Sequence, residues 1–486
     1  MTTFALPRTR GTWRAAPFDR QTADWLRLAA PMTLVALVNM AMSVTDTLMA
    51  AQFGIAALAA VAVGSDFYSI VFTFAAGAMA GLAPLYAAAS AAGNAARLRR
   101  LRAAGWMLVA LLAVGLAPLA WFAPDLLRAV GIPRELLETG RGYTQAMALT
   151  LVPMLAVAVL RNRLVALEWP GAILRVTACA IPLNAALNYV LMRGIGSWPG
   201  MGVTGAGCSS LIVACFIAAT LGLLCARHGD RGVDWRAWAD LAETLRLGLP
   251  IGFAMLAELG VFLGATLFAA RFGPEAAAAH ALTLRLAGIA YTISIGLQQA
   301  ATVRTARLAG DPGQYASLAT GIRLGAMAGT GILIALVLLA WPLPHAVLAD
   351  PATVATATGL ILLFAVSEAV APLGAVAAGI LRGFRDTSAP MLFTLLGSWG
   401  VTVPLALLLT AGSGLGVTGL WLALTAGSLL TTALLLCRLQ RHRHAAARCG
   451  ASVKAGTVAP LPSAPGFRGD GIASRSRTRA LPVRNN

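Results

Sequence analysis

Charged residues are scarce in this sequence: Asp, Glu, Lys and Arg make up only 12% of its 486 residues. A soluble domain carries roughly 25% charged residues, because a water-facing surface needs them. Hydrophobic residues reach 58%, and the mean hydropathy is +0.76. This composition argues against a soluble enzyme, a disordered protein and a disulfide-stapled secreted domain. It predicts an all-α integral membrane protein with many spans.

Motifs that would indicate an enzyme or a primary pump are also missing. The sequence has no HExxH, GxSxG or P-loop, and no GxGxxG placed after a strand. Its six cysteines form no CxxC pair, so we expect them to pack as small apolar side chains. We therefore expect no enzymatic activity, no cofactor and no metal centre, apart from Na⁺ as a coupling ion. Active transport by such a chain would draw on an H⁺ or Na⁺ gradient.

The net charge of +18 comes in large part from the C-terminal end of the chain. Residues 438–486 hold ten basic residues and one acid, in Pro-, Ser- and Arg-rich sequence without a helical period. This composition predicts a disordered tail. Next to a membrane, a basic tail more often lies on anionic headgroups than on DNA. The lipid bilayer is therefore an expected partner, and nucleic acid is not.

Apolar runs long enough to cross a bilayer, about 20 residues each, occur twelve times. We expect the twelve helices at 26–50, 57–86, 104–123, 143–166, 170–192, 203–226, 245–270, 278–302, 320–342, 355–381, 390–411 and 415–437. The first apolar run should remain as an anchor, because the sequence before it lacks the short apolar core and cleavage site of a secretory signal.

Arginine placement predicts the orientation. With the N-terminus inside, 31 of the 37 Lys and Arg lie in cytoplasmic segments or near the cytoplasmic ends of the predicted spans, and five lie in outer connections. By the positive-inside rule both termini face the cytoplasm, and a multi-pass, monomeric protein of the bacterial inner membrane is expected. The predicted domains are an N-tail (1–25), an N-lobe with helices 1–6 (26–226), a cytoplasmic linker (227–244), a C-lobe with helices 7–12 (245–437) and the basic tail (438–486).

The two halves of the chain repeat each other. LRLAAPM at 26–32 returns as LRLGLPI at 245–251, and AAQFG at 50–54 returns at the same offset as AARFG at 269–273. Each repeat contains six predicted helices, so the halves run parallel and should be related by an axis along the membrane normal. Two such lobes enclose a central cleft, which is typical of solute transporters that work by alternating access.

Polar residues inside the N-lobe spans are costly and indicate function. Asp46 lies in helix 1 on one face with Asn39, and Pro31 should weaken the same helix nearer its start. Asn184 and Asn188 share a face of helix 5 and lie at the depth of Asp46. One carboxylate and amide oxygens suit Na⁺ or a hydrogen-bonded proton. The alternative is a neutral hydrogen-bond cluster that holds two helices together.

The C-lobe and helix 2 hold the other intramembrane charges. Glu258 lies near the middle of helix 7 and Glu368 lies in helix 10, where both could face one cavity. Arg285 in helix 8 is close enough in depth to pair with Glu258. Glu258 is therefore either a protonatable or substrate-binding acid or one partner of a buried ion pair. Asp66 in helix 2 is less informative and could contact helix 1.

Several ordered motifs resemble the MATE (multidrug and toxic-compound extrusion) transporters across residues 25–437. They are P-x14-DTLMA (31–50), LNxxLNYVL (183–191), GVTGAG (202–207), LGLPIG…AELGVF (247–262), AxxAH (276–280), VRTARLAGDP (303–312) and AAGILRGFRDTSAP (377–390). The resemblance implies a twelve-helix antiporter that exports small cationic, often aromatic compounds in exchange for H⁺ or Na⁺.

The resemblance also assigns roles residue by residue. Asp46 matches the family's helix 1 acid, and Asn184 with Asn188 matches its helix 5 polar pair. Glu258 matches the helix 7 acid, and Pro31 matches the proline at which helix 1 is thought to bend.

The sequence departs from the family pattern in the C-lobe. In many relatives of this branch the helix 10 acid lies nearer the LRG motif, at the place of Ala371, whereas here Glu368 lies one turn earlier. Arg285 stands where a small polar residue is usual. The choice between H⁺ and Na⁺ stays open for this reason.

Two alternatives to a drug antiporter stay open. A lipid-linked glycan flippase of the same broad superfamily would need a basic cavity for pyrophosphate, but the spans hold four acids and one clearly internal Arg. A membrane-embedded enzyme would need a catalytic set at a membrane–water boundary, and the sequence shows none.

Overall fold

The described part of the computed structural model comprises residues 20–129, 134–227, 232–311, 314–411 and 414–454, and nearly all of it is helical. Twelve of its helices are long and apolar enough to cross a membrane. This confirms the predicted all-α membrane architecture. The helices are α1 (Gln21–Ala51), α2 (Ala56–Ala91), α3 (Ala95–Trp121), α4 (Arg134–Ala166), α5 (Pro170–Arg193), α6 (Val203–Arg227), α7 (Trp238–Phe272), α8 (Pro274–Arg307), α9 (Ala316–Leu339), α10 (Pro351–Gly383), α11 (Ser388–Thr410) and α12 (Gly416–His442).

The helices extend beyond the predicted apolar runs. Helical structure begins at Arg20 rather than at residue 26, and α7 begins at Trp238, inside the predicted linker 227–244. The last helix continues to Lys454, so the prediction of disorder from residue 438 is wrong over 438–454. Long-chain residues and alanines there are strong helix formers, and they extend the helix without apolar sequence. The rest of the tail, 455–486, and the N-terminal segment 1–19 lie outside the described residues.

Three spans are interrupted. Helix α2 breaks at Gly81, where an added Cβ would lie 2.6 Å from the Thr244 carbonyl oxygen of α7. Helix α10 breaks between Glu368 and Ala371. Helix α11 contains a π-helical segment, Leu396–Thr402. Such interruptions within a span are tolerated where neighbouring helices satisfy the freed backbone groups.

The buried apolar side chains of the described residues form three clusters, and their distribution shows where the lobes meet. The largest cluster takes residues from both halves of the chain, among them Trp25 and Leu82 of the first half and Leu297 of the second. A second cluster holds only C-lobe residues and a third only N-lobe residues. These two lie at the end of each lobe where the first two helices of the repeat turn. The lobes therefore share a core at one end and separate at the other, which opens a cleft between them.

Close backbone contact joins the lobes at their shared end. A Cβ added to Gly77 of α2 would overlap the Cα of Gly252 in α7. A Cβ added to Gly248 would overlap the Ala78 carbonyl oxygen. Small residues allow helices in a membrane to approach this closely. The crossing of α2 and α7 thus depends on glycine at these positions.

Candidate ion and substrate site

The N-lobe site is a hydrogen-bonded cluster between α1, α5 and α6. The Nδ2 atom of Asn188 donates to Asp46 Oδ1 at 2.5 Å and lies 3.4 Å from Asn184 Oδ1. Ser210 Oγ donates to Asp46 Oδ2 at 3.4 Å. The structure therefore brings together the three residues that the sequence places at one depth. Ser210 was missed, because a serine in an apolar span has no distinguishing signal.

Two amide atoms of this cluster have no hydrogen-bond partner among the described residues. They are Asn184 Nδ2 and Asn188 Oδ1, and both side chains are almost fully buried. A buried amide oxygen without a donor is costly, whereas a cation or an added proton would satisfy it. Together with the Asp46 carboxylate it supplies the oxygen ligands that Na⁺ prefers. The same atoms could instead share a proton, since a protonated carboxyl donates to an amide oxygen.

The remaining N-lobe candidates lie along α1. Pro31 lies inside the helix and is half-buried, and Asn39 is exposed two turns before Asp46. Helix α1 is nonetheless continuous from Arg20 to Ala51. Near Pro31 it packs tightly on α8, since a Cβ added to Gly296 would overlap Thr33 Oγ1. The proline thus lies where the two lobes touch.

The C-lobe site centres on Glu258 in α7. Its Oε2 accepts a hydrogen bond from the Tyr291 hydroxyl at 3.4 Å. The positive charge that acts on Glu258 belongs to Arg382, whose Nη1 donates to Gln298 Oε1 at 2.7 Å. Tyr291 and Gln298 were missed by the sequence analysis. Arg382 stands in the LRG motif, but the motif alone did not show that its side chain acts on a helix 7 acid.

Arg285 does not form the ion pair with Glu258 that its depth allowed. Both Arg285 and Asp66 are exposed, and the charge of Arg285 in α8 acts on the carboxylate of Asp66 in α2. Depth along the sequence measures height in a helix but not rotation about its axis, so a shared depth did not decide whether Arg285 and Glu258 meet. A contact of Asp66 with α1 stays a prediction.

Glu368 ends the first half of α10 and is 8% exposed. Its Oε2 has no hydrogen-bond partner among the described residues, and the charge of Glu258 acts on it. The two C-lobe acids are therefore close enough for their charges to interact, and their facing one cavity stays a prediction. Their shared charge can be relieved by a proton or by a bound cation.

His280, which ends the AxxAH motif (276–280) at the start of α8, makes hydrogen bonds to two neighbouring helices. Trp421 Nε1 donates to His280 Nδ1 at 3.1 Å, and Thr266 Oγ1 lies 3.2 Å from His280 Nε2. Because an indole nitrogen only donates, Nδ1 must be the unprotonated nitrogen and Nε2 carries the proton. Both ring nitrogens are thus used in holding α7, α8 and α12 together. No group of three metal-ligating side chains occurs within the described residues.

Twelve spans in two repeated lobes, with a carboxylate site in each lobe, define a two-lobed multi-span membrane transporter. The family model described as MatE matches residues 31–190 and 250–408. The starts of the two matched segments are separated by the same offset as the sequence repeats. The chain belongs to the MATE family of multidrug efflux transporters.

Curated relatives support the same assignment along most of the chain. A probable multidrug resistance protein NorM of Mesorhizobium japonicum is 31% identical over 444 residues, covering 86% of this chain and 93% of the relative. A protein of the same description from Burkholderia mallei is 32% identical over 457 residues, covering 89% and 96%. These relatives are transporters, and small molecules are their implied substrates.

Solved structures show the same fold. A MATE structure in a bent conformation aligns with a TM-score of 0.81 at 17% identity, covering 89% of this chain and 98% of the other. A structure described as the outward-facing conformation of a multidrug resistance MATE family transporter aligns with a TM-score of 0.79 at 17% identity, covering 87% and 96%.

Proposed function

We propose that this chain is a secondary antiporter that exports small cationic, often aromatic compounds in exchange for H⁺ or Na⁺. The observation that carries the proposal is the Asp46 cluster, in which a carboxylate lies beside a buried, unpartnered amide oxygen. A group of this kind binds and releases a cation more readily than a structural cluster with every atom paired. The acids of the C-lobe provide a second, separate site for a cationic substrate or proton.

The substrate class follows from what surrounds the C-lobe acids. Glu258 supplies negative charge, and the aromatic ring of Tyr291, which is 39% exposed, contacts it through its hydroxyl. Aromatic faces attract cations and stack on flat apolar compounds. A site with both features favours an amphipathic cation. The natural compound is not specified by these residues.

Export would proceed by alternating access, and the shared end of the lobes has the contacts of a closed gate. N-lobe arginines meet C-lobe acids there: Arg97 Nη2 lies 2.6 Å from Glu243 Oε2, and Arg100 Nε lies 2.9 Å from Asp240 Oδ2. Glu243 also contacts Arg385 of its own lobe at 2.8 Å. Partly exposed ion pairs contribute about 0–1 kcal/mol each, so the gate can open again.

In a second set of ion pairs the C-lobe supplies the arginines and the N-lobe supplies the acids. The C-lobe Arg304 lies 3.4 Å from Asp24, and Arg307 lies 3.3 Å from Glu168. Asp24 and Glu243 occupy equivalent positions of the sequence repeat. Each half of the chain thus contributes an equivalent set of ion pairs to the one gate.

A tryptophan fills the seam beside the second set. Trp25 of α1 is fully buried, and its Nε1 donates to Ser317 Oγ of α9 at 3.1 Å. A Cβ added to Gly321 would overlap the Trp25 ring. The indole thus lies in a space that a side chain at position 321 would fill. Opening the gate would require the Trp25 indole to leave this space.

Replacing Gly248 by Leu should keep the gate from closing, because its Cβ alone would overlap the Ala78 carbonyl. We expect efflux to fall to the level of protein-free liposomes. Distances between spin labels at the exposed Gln52 and Arg271, at the opposite end, should shift to shorter values. The matched control is Gly115→Leu, since a Cβ at Gly115 meets nothing within 4 Å. Normal efflux by Gly248→Leu would contradict the gate.

The proposed orientation puts the gate and both termini in the cytoplasm of a bacterial cell, in the inner membrane. It is supported by the arginine asymmetry. Reporter fusions after residues 54, 132 and 274 should report an outside location, and fusions after 98, 232 and 445 an inside one. Outside signals from 98 or 232 would refute the orientation and the proposed domain division together.

Purified protein in liposomes is the direct test of the function. Ethidium should leave the lumen against its gradient when an opposing H⁺ or Na⁺ gradient is imposed, and the ion that supports efflux is the coupling ion. Efflux that ignores both gradients would refute antiport.

The flippase alternative is tested in the same preparation. Two arginines of the spans add positive charge near the closed end of the cleft. Arg161 Nη2 lies 3.5 Å from Gln299 Oε1, and Arg382 contacts the neighbouring Gln298. Movement of a lipid-linked pyrophosphate across the bilayer, without ethidium efflux, would favour the flippase.

A further inference from the structure

The π-helical segment of α11 is a departure from regular α-helix inside a membrane span. It spans Leu396–Thr402 and contacts α12 through the Thr402 hydroxyl. The single hydrogen of this group is shared between the carbonyl oxygen of Gly397 in α11, at 3.0 Å, and that of Ala423 in α12, at 3.2 Å. A Cβ added to Gly397 would lie 2.6 Å from the Gly427 carbonyl. A π-turn is less stable than an α-turn and is often found at functional sites. A π-turn retained inside a span therefore indicates a function for a side chain that it positions.

Trp399 lies in the middle of the π-segment and reaches α7. Its Nε1 donates to the carbonyl oxygen of Ala257 at 3.1 Å. The ring also lies over Gly260, where an added Cβ would be 3.3 Å from its Cζ2 atom. The indole thus spans one turn of α7, bonded at its start and packed at its end. Without the extra residue in the π-turn, the residues beyond it would rotate by roughly 100° about α11.

Glu258 belongs to the turn that Trp399 holds. Its backbone follows Ala257 directly, and its carboxylate contacts Tyr291 of α8. Pro250 lies two turns earlier in α7 and removes one backbone hydrogen bond there. The segment that carries Glu258 thus follows a proline that weakens the helix, and the Trp399 indole contacts it from α11.

We propose that Trp399 is a positioning residue for Glu258, and that the π-turn of α11 exists to aim its indole at α7. The proposal rests on the proposed role of Glu258 in binding substrate or proton. Trp399 would act through the backbone of α7: its hydrogen bond keeps the Glu258 turn at a fixed rotation and height. It would not itself contact the transported ion.

Trp399→Phe tests the proposal, because phenylalanine keeps an aromatic ring and removes the only hydrogen-bond donor of the side chain. We expect amide hydrogen exchange in the peptide that contains Ala257 to Val261 to quicken by a factor of about three to ten, the ratio for an ordinary hydrogen bond. Ethidium affinity should fall by a similar factor. In a Glu258→Gln background, Trp399→Phe should cause no further loss of affinity.

Trp341→Phe is the matched control. Trp341 is exposed and stacks on His345 within its own short segment, so its replacement should change neither readout. If Trp399→Phe does not fold, Gly260→Ala tests the same contact from α7, because the added methyl group presses on the indole. It should quicken exchange in the same peptide and lower ethidium affinity.

The outcomes separate this proposal from the proposed function. Consider first the case in which Glu258→Gln impairs ethidium binding. The positioning role is then overturned if Trp399→Phe leaves amide hydrogen exchange unchanged. It is also overturned if exchange quickens while ethidium affinity stays the same. An additive loss in the double variant would also overturn it, since Trp399 would then act independently of Glu258. If Glu258→Gln binds ethidium normally, the role of Glu258 fails and the positioning role fails with it.

Discussion

Asp46→Asn should abolish gradient-driven efflux and leave the protein folded in the membrane. Asparagine is nearly isosteric with aspartate but can neither release a proton nor supply a full negative charge. Its amide can still take part in the hydrogen bonds with Asn188 and Ser210, which are 2.5 and 3.4 Å long in the native cluster. The loss should therefore be functional rather than structural. Efflux of ethidium from liposomes under an imposed gradient, together with melting of the purified variant, measures both.

The control for Asp46→Asn is Ser210→Ala, which removes the weaker contact to the same carboxylate and leaves its charge. It should retain most of the efflux. Efflux by Asp46→Asn at the native rate would reduce Asp46 to a residue that joins α1 and α5. Loss of folding in Asp46→Asn would point to the same structural role. It would show that the carboxylate of Asp46 is needed to hold α1 and α5 together.

Glu258→Gln is the second change with a large expected effect. Glutamine can accept the hydrogen bond from Tyr291, so α7 and α8 should stay packed. The negative charge is lost, and ethidium affinity should fall about tenfold or more, since interactions with charged groups contribute roughly 1.5–3 kcal/mol. Fluorescence titration of the purified protein measures this directly. Unchanged affinity and unchanged efflux would rule out a binding or coupling role for Glu258.

Arg285→Ala distinguishes the two interpretations of Glu258. In the structure the charge of Arg285 acts on Asp66, and that of Arg382 acts on Glu258, so this variant should bind ethidium normally. A buried ion pair would behave in the opposite way. Removal of its arginine would leave an uncompensated carboxylate and cost roughly 3–5 kcal/mol of stability. A strongly destabilised Arg285→Ala that is rescued by adding Glu258→Gln would restore the ion-pair interpretation.

Hydropathy and the repeat predicted most of the fold. A bilayer accepts only segments that satisfy their own backbone hydrogen bonds, so apolar runs of span length had to become helices. The internal sequence repeat predicted two lobes, and the matched family segments begin at the same offset. Helix ends were less predictable, because α7 and α12 extend into polar sequence that has helix propensity but no apolar signal.

The N-lobe site was predictable for a related reason. Asn184 and Asn188 repeat at helical spacing, and the ends of α1 and α5 give the depth of each residue. Two polar groups at one depth in adjacent spans meet because lipid offers them no other partner. The sequence alone therefore determined the spans, the repeat and the pairing of Asp46 with Asn188.

Tertiary structure decided the rest. Depth cannot show how far each helix is rotated, so only packing decided that the charge of Arg285 acts on Asp66 and that of Arg382 on Glu258. The π-turn of α11 has no signature in sequence, and it brings Trp399 to α7. Contacts between the lobes, such as Gly248 against Ala78, became visible only in the folded structure. In the proposed alternating access one sequence supports two closures of the cleft, so the sequence by itself does not select the closed end.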